Sequence, residues 1–278
     1  MQYPWWREQI PTSNWLLAEL KSSSHGGRLK ITIHRGGKPA SHSATPELLQ
    51  LLTSSTAIIR SKCKLNLTDR SSIVNTMRVC DSKLRLLQTA HELIWQQSYG
   101  SVGVDQICEQ SGVKKGSFYH FFRSKSELTV AAYEYYWEQR SRLTLDGIFS
   151  AQTPPLERLD AYFESIRRNQ TEHFETRGRV LGCPFVSLGS ELSTQDEAIR
   201  LMAQHIGERK CRYLESTLRD AMDEGAIPRQ EPKLLAQELH FYIVGLIQEA
   251  KICNNLAVLN RMKSGAYRII GASLAVVT

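Results

Sequence analysis

The chain has 278 residues, 41% of them hydrophobic, with a mean hydropathy of −0.33, a composition that suits a soluble globular protein of one or two domains. Its longest unbroken apolar run, FYIVGLI at 241–247, is too short to cross a bilayer, and its first 20 residues lack the basic and apolar regions of a secretory signal, so a cytoplasmic location with no membrane partner is expected. The net charge of +7 is uneven: residues 1–80 carry 11 Lys and Arg against 4 Asp and Glu, whereas 81–278 carry 24 of each, so overall basicity says nothing about what the larger part binds.

Residues 1–76 read poorly as a fold. The stretch 21–47 mixes Gly, Ser, Pro and basic residues without periodicity. LKITIH at 29–34 reads as one short strand and 45–61 as one helix, too little to bury a core. A basic, largely disordered extension is expected over 1–76. Its low acid content also fits a transit peptide or a basic nucleic-acid arm. Organised sequence begins just after Met77, which leaves a mis-assigned start as a further reading.

From 77 to 127 the sequence predicts short helices. Leu87, Ala90, His91 and Ile94 fall at i, i+3, i+4 and i+7 on one helical face. YGSVG interrupts that helix, and VDQICEQ restarts one with Gly103 as its cap. SGVKKG then reads as a turn and SFYHFF as a third helix. Ser124 and Glu127 form the S-x-x-E capping box of a fourth, whose Leu128, Ala131, Ala132 and Tyr135 share a face.

Two short helices joined by a tight turn, the second led by small and basic residues, make a helix-turn-helix. A recognition helix entering the DNA major groove needs small bulk and positive charge at its leading end. Gly116 lets backbone approach a phosphate, and Lys114 and Lys115 supply charge or a donor to guanine edges. Ser117, Tyr119 and His120 are donors for phosphate oxygens. Lys125, in the first turn of the next helix, can pair with a phosphate beside that helix's positive end. Phe118, Phe121 and Phe122 are left to anchor the helix to its neighbours.

This spacing resembles the TetR/AcrR transcriptional regulators, whose pattern reads V-x-x-I-x-x-x-x-G-V-x-K-G-[ST]-x-Y-x-[HY]-F-x-[SN]-K-x-x-L after an aromatic residue. Tyr99, Val104, Ile107, Gly112, Val113, Lys115, Gly116, Ser117, Tyr119, Phe121, Ser124, Lys125 and Leu128 stand at matching positions. The resemblance covers about 81–130. It implies that Lys115, Gly116, Ser117, Tyr119, His120 and Lys125 touch DNA, with Lys114 at a variable, base-reading place. Two positions depart from the pattern. Ser98 replaces the usual glycine before Tyr99, and Val102-Gly103 replaces a common Thr-Ser pair, which puts one backbone contact in doubt.

Residues 128–278 read as helical throughout, so the predicted fold is all-α: a three-helix DNA-binding domain over 77–127 and a helical effector-binding and dimerisation domain over 128–278. Pro154-Pro155 breaks the chain, Leu156, Leu159, Phe163 and Ile166 mark the next helix, and 199–221 a long one. Two more are predicted near 232–251 and 256–275. The resemblance implies a homodimer through these last two helices, on a palindromic operator in double-stranded DNA, released by an unidentified small-molecule inducer. Leu235, Leu239, Tyr242, Ile243 and Leu246 make an apolar face that suits that interface or an internal core equally.

Within this domain RGRVLGCPFVSLGSEL at 177–192 places Pro184 at the first position of a helix and Cys183 at its N-cap. A thiol there, with Arg177 and Arg179 close in sequence, is a candidate sensor of electrophiles or oxidants; the alternative, which the sequence favours, is a small buried apolar residue. Tyr162, Phe163, Phe185, Tyr213 and Tyr242 are candidate pocket walls, although aromatics at helical spacing more often form plain core. Cys63, Cys80, Cys108, Cys183, Cys211 and Cys253 include no C-x-x-C pair, and His173, His205 and His240 match no metal spacing, so no metal or cofactor is expected. The expected function is a ligand-responsive repressor. An enzyme with Cys183 as nucleophile and a DNA-binding structural protein are the competing classes; the chain has no nucleophile elbow and no phosphate loop.

Overall fold

The computed structural model describes residues 17–21, 30–35, 38–40 and 70–273, with side chains from Asp81 onward. The chain divides into two compact units, 1–70 and 71–278. In the first, β1 (Leu17–Lys21), β2 (Lys30–Arg35) and β3 (Lys38–Ala40) form an antiparallel meander, with Leu17 opposite His34 and Arg35 opposite Lys38. The strand predicted at 29–34 is thus the middle one of three. The helix predicted over 45–61 lies outside the described residues.

The second unit is helical in all its described elements. It opens with α1 (Arg70–Gln97), which starts ahead of Met77 and carries it within its length. Then come α2 (Val104–Ser111), α3 (Lys115–Phe121) and α4 (Lys125–Tyr136). A π turn at Trp137–Ser141 links α4 to α5 (Arg142–Ile148). There follow α6 (Pro155–Arg177), α7 (Pro184–Leu192), α8 (Glu197–Asp223) and α9 (Pro232–Ile252). The last predicted helix is shorter than its sequence pattern suggests. Leu256–Arg261 is a 3-10 stretch, started where the Asn255 side chain accepts from the Ala257 amide, and only α10 (Met262–Ile270) is α-helical.

Local chemistry sets these boundaries. Gly112, at φ 64°, and Gly178, at φ 69°, end α2 and α6 in the left-handed conformation that glycine adopts without steric cost. Asp196 caps α8 by accepting from the Ile199 amide, and Glu231 caps α9 just ahead of Pro232. The predicted capping box of α4 forms with a one-residue offset. Ser124 Oγ accepts from the Glu127 amide, while the Glu127 carboxylate accepts from the Arg123 amide at 2.7 Å.

Helix α8 runs through the middle of the effector domain and packs against α4, α6, α7 and α9. In the helix-turn-helix, Leu86, Ala90, Ile107, Phe118, Phe122 and Leu128 are buried, and they continue into the core of the effector domain. Arg158 is buried as well. Its guanidinium bonds to Asp220 at 2.5 Å and to the Thr153 carbonyl at 2.6 Å, tying the start of α6 to the end of α8. Among the described residues, no helix is long and apolar enough to cross a membrane.

Candidate DNA interface and effector cavity

Short helix α3 projects its polar residues outward. Phe118 is fully buried and Phe122 nearly so, their rings tilted against each other at 6.1 Å between centroids, and this anchor fixes which side of α3 faces solvent. On that side Lys114, Lys115, Gly116, Tyr119 and His120 are exposed, and Ser117 is half-buried. The Tyr119 ring is 56% exposed, a large apolar surface for a helix of seven residues. A Cβ at Gly116 would meet nothing within 4 Å, so packing inside the chain gives no reason for glycine there.

Two lysines of the expected set have partners in the chain. Lys115 Nζ pairs with Asp105 of α2 at 2.6 Å, and this hydrogen bond holds its ammonium above the ordinary lysine range. Both side chains are solvent-exposed, so the pair is weak and readily exchanged for a phosphate. Lys125 does not lie with the α3 cluster. Its Nζ donates to the carbonyls of Tyr99 at 2.9 Å and Val102 at 3.0 Å, and sits 3.7 Å from the Tyr99 ring centre. Burial lowers its pKa, partly offset by Glu191.

The candidate effector residues are dispersed. A cavity of about 350 Å³ opens between α7, α8 and α9, lined among others by Phe185, Val186, Gly189, Ile206, Lys210 and His240. A second, of about 630 Å³, lies between the π turn, α5 and α8, where Tyr213 stands with Trp137, Arg142, Phe149, Arg209 and Arg212. The Tyr213 hydroxyl donates to Asp146, and burial with that carboxylate pushes its pKa up to about 12. Neither cavity is lined by Tyr162, Phe163, Cys183 or Tyr242. Tyr162 and Phe163 are buried, Tyr162 packing on Phe149 at 5.3 Å, as ordinary core. Tyr242 donates to the Arg261 carbonyl at 2.8 Å and so braces the 3-10 stretch. These departures share one cause: helical spacing reports that a face is apolar, and packing decides what that face meets.

Cys183 caps α7 as its sequence predicts, with Pro184 at the first helical position. It is buried, 8% exposed. The cation beside it differs from the ones near it in sequence, because Arg177 pairs with Glu92 of α1 at 2.7 Å. Instead Lys210 of α8 reaches to 3.5 Å from the Cys183 sulfur and lies 4.9 Å from the Phe185 ring centre. Burial works against the Lys210 charge, but Cys183, Tyr162 and Tyr136 outweigh it and hold the ammonium above its usual range. No short-range pattern marks Lys210. The thiol thus lies behind the cavity wall, and the lysine beside it forms part of that wall.

Comparison with known proteins agrees with this architecture. The family model of bacterial regulatory proteins of the tetR family matches residues 86–132, and the tetracyclin repressor-like C-terminal domain matches 155–265. The transcriptional regulator AcuR of Cereibacter sphaeroides is 29% identical over 168 residues, 60% of this chain and 75% of AcuR. The transcriptional repressor NemR of Escherichia coli is 27% identical over 192 residues, 68% of this chain and 94% of NemR. The crystal structure of reduced E. coli NemR superposes with a TM-score of 0.62 at 26% identity, over 70% of this chain and all of that one. A TetR regulatory protein from Rhodobacter sphaeroides gives 0.60 at 28% identity, over 67% and 97%.

Proposed function

The chain belongs to the TetR family of bacterial regulatory proteins, and from that premise we propose that it is a homodimeric repressor whose α3 reads a palindromic operator. Membership makes it a DNA-binding transcriptional regulator and not an enzyme. The observation that carries the operator contact is the exposed cluster Lys114, Lys115, Gly116, Ser117, Tyr119 and His120 on one side of α3. It unites two cations, three side-chain donors and a glycine that the fold itself does not require, which is the chemistry of a phosphate-positioned recognition helix.

Dimerisation has support in α9. Leu234, Phe241 and Ile252 are 54%, 67% and 77% exposed, and their spacing places them on one stripe with the exposed Gly245. A stripe of this kind on a soluble protein suits burial against a second copy. The effector enters the α7–α8–α9 cavity. Lys210 at its wall, with the Cys183 thiol 3.5 Å behind it, suits a small molecule that pairs with the ammonium or reaches past it to react with the thiol. The effector favours a conformation whose two recognition helices no longer match the operator spacing.

Binding of the purified protein to promoter fragments flanking its own gene, across a salt series, tests this reading. Specific, salt-sensitive binding lost in Tyr119→Ala is the expected result. Failure on those fragments and on random genomic DNA alike would sink it. Cys183→Ser then separates the two effector modes, because an electrophile acting through the thiol stops releasing the operator and a reversible ligand does not.

A further inference from the structure

Helix α7 touches both functional regions. Its N-terminal half supplies Phe185 and Val186 to the cavity wall, with Cys183 as its cap. Its last turn carries Glu191, whose two carboxylate oxygens accept from the backbone amides of Tyr99 and Gly100 at 3.1 Å and 2.9 Å. Those amides belong to the 98–103 loop between α1 and α2, the loop that sets where the helix-turn-helix begins. Lys125 grips the same loop by the Tyr99 and Val102 carbonyls. A second link runs alongside. Asp196, the α8 cap, accepts from Ser126 of α4 at 2.5 Å.

The seating of α7 leaves little slack. A Cβ at Gly189 would lie 3.0 Å from the Ala203 Cβ of α8, so the two helices already meet at the limit of contact. A molecule larger than the cavity of about 350 Å³ must shift α7 or α8. A helix of nine residues moves as a rod of roughly 13 Å, and charge-assisted hydrogen bonds to fixed amides weaken steeply over displacements of about 1 Å.

We propose that Glu191 is the positioning residue that couples the effector cavity to operator binding: its carboxylate holds the α1–α2 loop in the operator-competent arrangement and releases it when α7 moves. This rests on reading the α7–α8–α9 cavity as the effector site. Coupling between the two sites is reciprocal, so operator binding, which favours the clamped arrangement, weakens effector binding in the cavity by the same factor.

The test uses the full chain, N-ethylmaleimide as the probe of Cys183, and an operator duplex selected from random DNA. The variant is Glu191→Gln, which keeps the side-chain shape and removes the charge; Glu191→Asp serves as the conservative partner. Wild-type operator affinity is expected to fall on Cys183 alkylation, with Cys183→Ser as the control for the other thiols. In Glu191→Gln, operator affinity is expected to be roughly tenfold weaker before any alkylation. Alkylation then changes it less than twofold, while the thermal midpoint stays near that of wild type. Hydrogen exchange at the Tyr99 and Gly100 amides is expected to quicken in Glu191→Gln, and in Glu191→Asp by less. A variant that binds operator as wild type does and still responds to alkylation would overturn the proposal. Alkylation that leaves the wild-type affinity unchanged would strike the effector reading of the cavity instead, and the clamp would be judged on the operator affinity of Glu191→Gln alone.

Discussion

Lys125 Nζ stands 2.9 Å from the carbonyl oxygen of Tyr99, 3.0 Å from that of Val102 and 3.7 Å from the centre of the Tyr99 ring. One ammonium therefore closes the loop that joins α1 to α2. Two carbonyls at a turn need donors, and the lysine stem brings one across from α4.

Lys125→Met is expected to destabilise the protein by about 2 kcal/mol, since it removes two charge-assisted hydrogen bonds and a cation–π contact. Urea denaturation reads this directly. The salt dependence of operator binding reads the alternative role of Lys125 as a phosphate contact. An unchanged slope assigns the residue to the loop, whereas a slope reduced by about one assigns it to DNA as well.

Ser98 opens that loop with φ at 90°. Side chains with a Cβ adopt positive φ at a cost of roughly 1–2 kcal/mol, and glycine avoids it. The hydroxyl returns only an exposed contact with Ser101 at 3.1 Å. Ser98→Gly is therefore expected to stabilise the fold by about 1 kcal/mol. A rise of roughly 2–4 °C in the melting temperature would register it, and a fall would show that the hydroxyl contact outweighs the strain.

Three histidines make stability pH-dependent. His91 is stacked on Tyr136 at 3.8 Å and packed against Tyr133 and Trp95, with Arg140 and His173 as the nearby charges. Burial first, and Arg140 next, lower its pKa to about 3; burial likewise lowers His173 and His240 to about 4. Each stays neutral in the folded chain while its unfolded counterpart takes up a proton near pH 6.5. Stability is thus level above about pH 6.5 and falls as the pH drops toward 4, by up to about 1.4 kcal/mol per pH unit per histidine. His91→Phe keeps the stacked ring and is expected to reduce the slope between pH 6 and 5 by close to one proton. Denaturant titrations at those two pH values measure it.

Gly265 of α10 faces Tyr242 of α9. A Cβ there would lie 1.8 Å from the tyrosine oxygen and 2.3 Å from its Cζ, and the hydroxyl is held by the Arg261 carbonyl at 2.8 Å. Gly265→Ala is expected to cost about 1–3 kcal/mol by overpacking. In a Tyr242→Ala background the same change is expected to cost under 1 kcal/mol, because the obstructing ring is gone. Equal costs in the two backgrounds would show that the clash is relieved elsewhere.

Much of the DNA-binding half was legible because its signals are local. The i, i+3, i+4 spacing of Leu87, Ala90, His91 and Ile94, the Ser124–Glu127 cap and the small basic lead of α3 all act within one or two helical turns. So does Pro184 after Cys183, which placed the thiol at a helix start without showing what stands beside it. The π turn at Trp137 and the 3-10 break at Leu256 escaped the pattern, since the apolar period continues through both.

Spacing alone therefore determined the helical class, the recognition helix and the residues exposed along it. The tertiary structure decided the partners. Lys210 reaches Cys183 across 27 positions, and Glu191 reaches Tyr99 across 92. At such separations no residue constrains the type or register of the other along the chain; only the packing of α7 on α8, and of both beside the helix-turn-helix, brings the charged atoms within bonding distance.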